Sequence, residues 1–230
     1  LINQFREKIQ KRDKVRQGLK ASIMNEIEKS NSNHDLLENL ELIFRNFDSV
    51  VKTKEDIKDI RDLVLSLAVK GKLVPQDPND EPASVLLEKI KAEKEQFIKD
   101  KKIKKDKELA PITEEEIPFE TPESWEWVRL GNVAGYIQRG KSPEYSEIEE
   151  IPVVSQKCVQ WSGFDLYKAR FINPDSLSKY DDERFLMTGD LLWNSTGLGT
   201  LGRINVFENK YTFKNIVVDS HVTIIRPLIV

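Results

Sequence analysis

The chain has 230 residues, a formal net charge of -3, two histidines and one cysteine. This length allows one or two domains, and without a run of ~18 apolar residues a membrane-spanning helix is excluded. The lone Cys158 excludes a disulfide scaffold and a cysteine-based zinc cluster, so we expect a cytoplasmic protein without metal or cofactor.

The N-terminal segment, residues 1–107, is predicted to be helical. Leu1 comes first and no basic and then apolar leader follows it, so we expect a fragment without an export signal. Apolar residues recur at helical spacings over 5–27, 36–47 and 57–68. Each of these three stretches therefore predicts an amphipathic helix.

Turn and cap residues separate the predicted helices. The polar run 30–33 divides the first two helices, and Gly71 suits a left-handed cap after the third. Pro82 suits the first position of a fourth helix over 82–104. At 1.5 Å per residue this helix would span roughly 34 Å, which is long enough for a spacer.

The character of the sequence changes after residue 107. Residues 108–124 form an acidic stretch interrupted by prolines, which predicts a linker. From Trp125 the apolar period becomes two, so 125–230 is predicted to be a β-rich domain beginning with a strand over 125–130. Its other predicted strands include 151–154, 190–193, 203–207 and 221–225. The fold class is therefore α+β, with helices followed by a β-rich domain.

Gly197-Leu198-Gly199-Thr200-Leu201-Gly202 is the most conspicuous motif. It matches the G-x-G-x-x-G pattern of nucleotide- or S-adenosylmethionine-binding enzymes, which require a helix after the third glycine. The residues 203–213 instead alternate β-branched or aromatic with polar residues, which predicts a hairpin. A tight loop that brings the main chain close to a ligand is the favoured interpretation, and the nucleotide site remains an alternative.

Polar and basic side chains on three turns have the chemistry to contact a nucleic acid. Arginine and lysine bind phosphates, whereas glutamine, asparagine, serine, threonine and arginine can bond base edges. Solvated loops and turns bonded to their own main chain are the alternative interpretation. The candidates are Gln138, Arg139, Lys141, Gln156, Lys157, Asn194, Ser195, Thr196 and Arg203.

Nucleophilic catalysis has weak support in the sequence. Ser195 is not in a G-x-S-x-G motif, although a triad with His221 and either Asp190 or Asp219 stays open. Cys158 next to Lys157 is either an activated thiol or a packed core residue, and its apolar flank favours the core.

Three stretches resemble one known family. The run Ile60–Ala83 (IRDLVLSLAVKGKLVPQDPNDEPA) closely resembles the helical region of type I restriction–modification specificity subunits. Ile117–Gly131 resembles the phrase that leads into a target recognition domain of that family. Leu186–Gly197 resembles the "G-D-hydrophobic…T-G" segment of such a domain.

The resemblance implies a non-catalytic reader of double-stranded DNA. Such subunits carry two recognition domains separated by helices that dock two DNA methyltransferase (modification) subunits, and a restriction/translocase subunit joins them. This chain shows one recognition domain, expected to be incomplete at its C-terminal end, so bipartite recognition is not expected of it. We predict that Arg139, Lys141 and Lys157 hold phosphates, and that the other six candidates reach base edges. A helical adaptor that does not bind DNA is the remaining alternative.

Overall fold

The computed structural model describes residues 2–30, 32–105 and 107–228. Its α-helices are α1 (Ile2–Lys29), α2 (Asn33–Arg45), α3 (Phe47–Val50), α4 (Lys54–Val69), α5 (Ala83–Lys99) and α6 (Leu130–Val133). Its strands are β1 (Ala134–Arg139), β2 (Tyr145–Ser146), β3 (Pro152–Val154), β4 (Val159–Gln160), β5 (Gly163–Phe164), β6 (Arg170–Ile172), β7 (Leu191–Asn194), β8 (Ile204–Val206), β9 (Val217–Val218) and β10 (Val222–Pro227). Short 3₁₀ turns lie at Glu114–Glu116, Leu166–Lys168, Pro174–Lys179 and Asp182–Arg184. Helices followed by a β-rich region confirm the predicted α+β class.

The chain divides into two compact units. The helical unit contains the residues up to Pro82 together with Glu115–Glu126, and the β unit contains Ala83–Glu114 and the residues from Trp127 onward. The sequence divides by composition into the predicted segments 1–107, 108–124 and 125–230. The two units are instead defined by which residues contact each other, and by that criterion α5 belongs with the strands. The three segments stay a prediction.

The helical unit packs the predicted apolar stripes together. Its core comes from α1, α2, α3 and α4 and consists of Ile23, Ile27, Leu36, Ile43, Val50, Leu63 and Leu67. Only the second half of the α1 stripe is buried, because Phe5, Ile9 and Val15 remain exposed. The first half of α1 therefore keeps an apolar face without a partner within the described residues.

Local capping explains where α4 begins and ends. The Thr53 hydroxyl accepts from the Asp56 amide, and the Asp56 carboxylate accepts from the Thr53 amide, which makes a capping box. At the other end Gly71 has φ 67°, and the Lys72 amide donates to the Leu67 carbonyl at 2.8 Å. The predicted left-handed cap at Gly71 is confirmed.

The fourth helix is shorter than predicted. It ends at Lys99 rather than at residue 104, because Lys101 takes φ 58° and the Lys102 amide folds back onto the Phe97 carbonyl at 2.9 Å. These bonds satisfy the last helical carbonyls and terminate the helix. The lysine-rich residues 101–105 therefore do not extend a spacer helix.

The β unit consists of two four-stranded sheets and a small hairpin. The first sheet has the order β1-β10-β7-β8 and is antiparallel. The second sheet has the order β2-β6-β3-β9, in which β3 and β9 are parallel. The β4–β5 hairpin lies beside β7 and β8. The main core lies under the first sheet and is formed largely by Val154, Cys158, Val159, Leu166, Leu186, Leu192, Phe207, Ile216, Val218, Val222 and Ile224.

Two predicted strands are wrong. Residues 125–129 are not a strand, because the Trp125 amide closes a turn on the Pro122 carbonyl and the Arg129 guanidinium bonds the Ala110 and Pro111 carbonyls. Residues 211–213 do not pair with β8. The Tyr211 ring packs on Phe164 at 6.4 Å between centroids instead, and β8 forms its hairpin with β7 across the glycine loop.

Within the described ranges, no helix combines the length and the apolar character that crossing a bilayer requires.

Candidate nucleic-acid interface

Strand pairing brings four distant segments to one end of the β unit. The C-terminal end of β1 and the C-terminal end of β7 flank the start of β10, since Arg139 lies opposite Thr223 and Asn194 lies opposite Val222. The parallel strands β3 and β9 also end there, where the Asp219 amide donates to the Val154 carbonyl at 2.9 Å. We call residues 139–141, 155–157, 194–203 and 219–221 the polar strand-end cluster.

Hydrogen bonds link these segments directly. The Gln156 amide nitrogen donates to the Thr196 carbonyl, and the Thr196 hydroxyl lies 2.9 Å from His221 Nδ1. Arg139 Nε donates to the Ser220 carbonyl at 2.9 Å. Three of the four segments thus meet around Thr196 and the 219–221 turn, and Gln156 ties the fourth to them.

The glycine loop joins β7 to β8 and is not followed by a helix. Gly197, Gly199 and Gly202 have φ values of 98°, 83° and 87°, a region that side-chain-bearing residues rarely adopt. The next element after Gly202 is strand β8. A nucleotide phosphate at such a motif would be held by the amides of a helix N-terminus. The fingerprint alternative therefore lacks its structural context, whereas the predicted tight loop is present.

Asn194 is completely buried and bonds the main chain. Its amide nitrogen donates to the carbonyls of Gln156 and Val159, both at 3.3 Å. Its Oδ1 has no hydrogen-bond partner in the part of the chain that the structure describes. Enclosed in this way, Asn194 ties the end of β7 to the residues 156–159, and its contact with a base edge stays a prediction.

Arg203 is half-buried and holds the loop in place. Its guanidinium donates to the Gly199 carbonyl at 2.8 Å and to Gln160 Oε1 at 2.7 Å. The glycine loop is thereby tied to the β4–β5 hairpin. Gln160 was not among the candidates from the sequence, because no local pattern pairs it with a residue 43 positions away.

The other basic candidates differ in how free their charges are. Lys157 is exposed, whereas Lys141 is half-buried, donates to the Lys179 carbonyl and lies over the Tyr180 ring. Arg139 is exposed, although its guanidinium donates to the main-chain carbonyl of Ser220. Lys157 and Arg139 are thus the cations of the cluster best placed to meet a phosphate.

Gln138 points away from the cluster. It lies on β1 opposite Ile224, and its side chain lines a groove of about 810 Å³ within the β unit. Basic residues contribute to the same groove, namely Lys102, Lys104, Lys107 and Arg226. The structure therefore does not bring Gln138 together with the other candidates.

The triad alternative for Ser195 is not supported by geometry. The Ser195 hydroxyl accepts from the Thr223 hydroxyl at 2.7 Å, and the His221 ring contacts Thr196. The Asp219 carboxylate accepts from the main-chain amide of His221 rather than from its ring. Across the described ranges, Ser195, His221 and Asp219 therefore do not form a nucleophile–base–acid relay.

Two buried ionisable groups border the cluster. Burial raises the pKa of the Asp219 carboxyl, while the hydrogen bond from the His221 amide partly opposes this effect. Burial also raises the pKa of the Cys158 thiol, which lies in the main core. The core interpretation of Cys158 is confirmed, since a reactive thiolate requires the opposite shift.

Comparison with known proteins gives two close relatives. No family model matches the chain. Over 121 residues, or 53% of the chain, it is 46% identical to the type I restriction enzyme EcoAI specificity subunit of Escherichia coli. Over 130 residues, or 56% of the chain, it is 42% identical to the EcoEI specificity subunit of the same organism. The chain is thus similar to type I specificity subunits over about half its length, which confirms the resemblance, and the matched segments span 20% and 22% of those relatives.

Proposed function

We propose that the β unit recognises a short sequence in double-stranded DNA through the polar strand-end cluster. The observation that carries this proposal is the meeting of four polar segments, distant in sequence, at one end of two sheets. Their side chains supply the donors, acceptors and cations that grooves and phosphates require. The similarity to specificity subunits supports the same conclusion.

Within the cluster, exposed cations and neutral polar groups have different roles. Arg139 and Lys157 bind phosphates and set the position of the duplex, with Lys141 as a weaker contact because its ammonium group is already bonded. Gln156, Ser195 and Thr196 are only half-buried and face the bases. Since the chain as a whole carries a net charge of -3, this local concentration of positive charge matters more than the total.

The helical unit serves assembly in this proposal. Its exposed apolar side chains on α1, namely Ile2, Phe5, Ile9, Val15 and Leu19, give a surface on which another helix can pack. We propose DNA methyltransferase (modification) subunits as the partners, joined by a restriction/translocase subunit. The chain itself then performs no catalysis, requires no cofactor and acts in the cytoplasm, where its DNA partner is.

Selection of bound sequences from random duplex DNA tests the function. The 230-residue chain is incubated with the library at moderate salt, and bound duplexes are amplified and sequenced. Enrichment of one short sequence is the expected result. Binding that is equally strong for every sequence contradicts sequence recognition. No binding to any duplex, together with capture of a modification subunit by the chain, favours the helical adaptor instead.

A matched pair of lysine variants tests the phosphate role. Lys157→Ala should weaken binding to all sequences about equally and reduce the salt dependence of log K by about one phosphate contact. Lys214→Ala is the control, because Lys214 is exposed and precedes β9, whose other end leads into the cluster. Equal effects of the two substitutions would argue against a phosphate contact at Lys157.

A further inference from the structure

One exposed leucine stands at the tip of the glycine loop. Leu198 is fully exposed, and it lies between Gly197 and Gly199, both with positive φ. Leu201 in the same loop is 60% exposed, and Ile204 at the start of β8 is 48% exposed. These exposed apolar groups are available for contact with a ligand, and such contact would remove their surface from water.

Hydrogen bonds on both sides of this leucine close the loop that carries it. The Leu201 amide donates to the Gly197 carbonyl at 3.1 Å, and the Gly202 amide donates to the Asn194 carbonyl at 3.0 Å. The Arg203 guanidinium bonds the Gly199 carbonyl, immediately after Leu198. Leu198 is therefore exposed on a loop whose main chain is held by hydrogen bonds. Ordering it at a binding partner costs little conformational entropy.

The exposed cations of the polar strand-end cluster indicate what covers this leucine. The base of the loop bonds the 219–221 turn through Thr196 and His221, and the exposed cations Arg139 and Lys157 lie in the same cluster. The acid of this turn, Asp219, is buried. An apolar loop that shares a cluster with exposed cations is complementary to a DNA groove edged by phosphates. The apolar group that the major groove offers is the C5-methyl of thymine.

We infer that Leu198 discriminates thymine by contacting its methyl group in the major groove, while Arg203 holds the loop for this contact. This inference rests on the proposed function and adds to it a specificity-determining residue. Arg203 then acts as a positioning residue, because two of its guanidinium nitrogens donate to Gly199 and Gln160 and its Nε is buried.

Replacement of thymine by deoxyuridine tests the inference. In the duplex enriched by selection, each thymine is replaced in turn, which removes one methyl group and leaves base pairing intact. We expect one position at which the replacement lowers the affinity of the unmodified protein about fourfold, because that is the change in affinity that corresponds to burying one methyl group. Leu198→Ala should bind the thymine duplex several-fold more weakly and should be insensitive to deoxyuridine at that position.

The control is a variant at another exposed apolar residue of similar size. Ile148→Ala is the control, since Ile148 is 56% exposed and precedes β3, whose far end leads into the cluster. It should leave both affinities unchanged. Two outcomes overturn the inference but leave the proposed function standing. In one, Leu198→Ala binds the selected sequence as tightly as the unmodified protein does. In the other, the loss of affinity caused by deoxyuridine persists in that variant. Failure to enrich any sequence overturns the proposed function, a result that the selection reveals before Leu198 is changed.

Discussion

Lys20 and Asp56 form a buried ion pair that fixes α1 against the first turn of α4. Lys20 Nζ lies 2.6 Å from Asp56 Oδ1, and the Asp56 side chain is fully enclosed. Arg16 reaches the other carboxylate oxygen at 2.8 Å, and the Thr53 amide donates to it at 3.0 Å. One carboxylate therefore caps α4 and anchors α1 at the same time.

Loss of the Lys20 charge should destabilise the helical unit strongly. Lys20→Met leaves the Asp56 carboxylate paired with Arg16 but without its bond from Lys20, and loss of one hydrogen bond between charged groups costs about 1.5–3 kcal/mol. The free energy of unfolding from urea titration, followed by far-ultraviolet circular dichroism, measures the change. Lys14→Met is the control, because Lys14 lies on the same helix and is exposed. Similar losses in the two variants would show that the buried pair is not the cause.

Acid should destabilise the helical unit through Asp56. Burial alone raises the pKa of this carboxyl, but hydrogen bonds, first from Lys20, outweigh burial and hold the pKa well below its ordinary value. Because the folded pKa is below the unfolded value of about 4, the carboxylate stabilises the fold fully above that value. Its contribution is lost as the pH falls further toward the folded pKa. Thermal unfolding across pH 6 to about 2 should show this loss, and Asp56→Asn should be less stable at neutral pH and less sensitive to acid.

Gly140 should not tolerate a side chain. A Cβ at this position would collide with the main-chain carbonyl oxygens of Val218 and Asp219, which cannot move without disturbing β9. Gly140→Ala should therefore destabilise the β unit by about 1–3 kcal/mol and weaken DNA binding. In contrast, Gly18→Ala meets open space inside α1 and should stabilise the helical unit by about 0.5–1 kcal/mol. Thermal unfolding followed by tryptophan fluorescence and circular dichroism compares the two, and a neutral Gly140→Ala would contradict the close approach of these segments.

Cys158 should report on opening of the β unit. The thiol is fully buried in the main core, and burial raises its pKa, so both access and thiolate formation are suppressed. We expect labelling by a thiol reagent at pH 8 to be at least ~100-fold slower in the native chain than in urea-unfolded chain. Equal labelling rates in the two states would be inconsistent with this core position.

Elements with a strong local pattern were predicted well. The apolar stripes of α1, α2 and α4 and the left-handed cap at Gly71 follow from spacing and from one residue type. The predicted strands at 151–154, 190–193 and 221–225 match β3, β7 and β10 within about two residues at their ends. The strand expected at 125–130 failed because Trp125 and Arg129 bond turns and carbonyls elsewhere, which alternation does not reveal.

The candidate site could be predicted as a set of segments but not as a surface. The sequence alone determined that the turns near 139, 156 and 195 are polar, and it carried the resemblance to specificity subunits. Only tertiary structure decided that they meet, because β10 must insert between β1 and β7 to bring them to one end. It also decided that Asn194 is enclosed, that Arg203 bonds Gln160, and that Leu198 is exposed. Exposure and hydrogen-bond partners depend on which distant strands pair, and residue type and spacing do not contain that information.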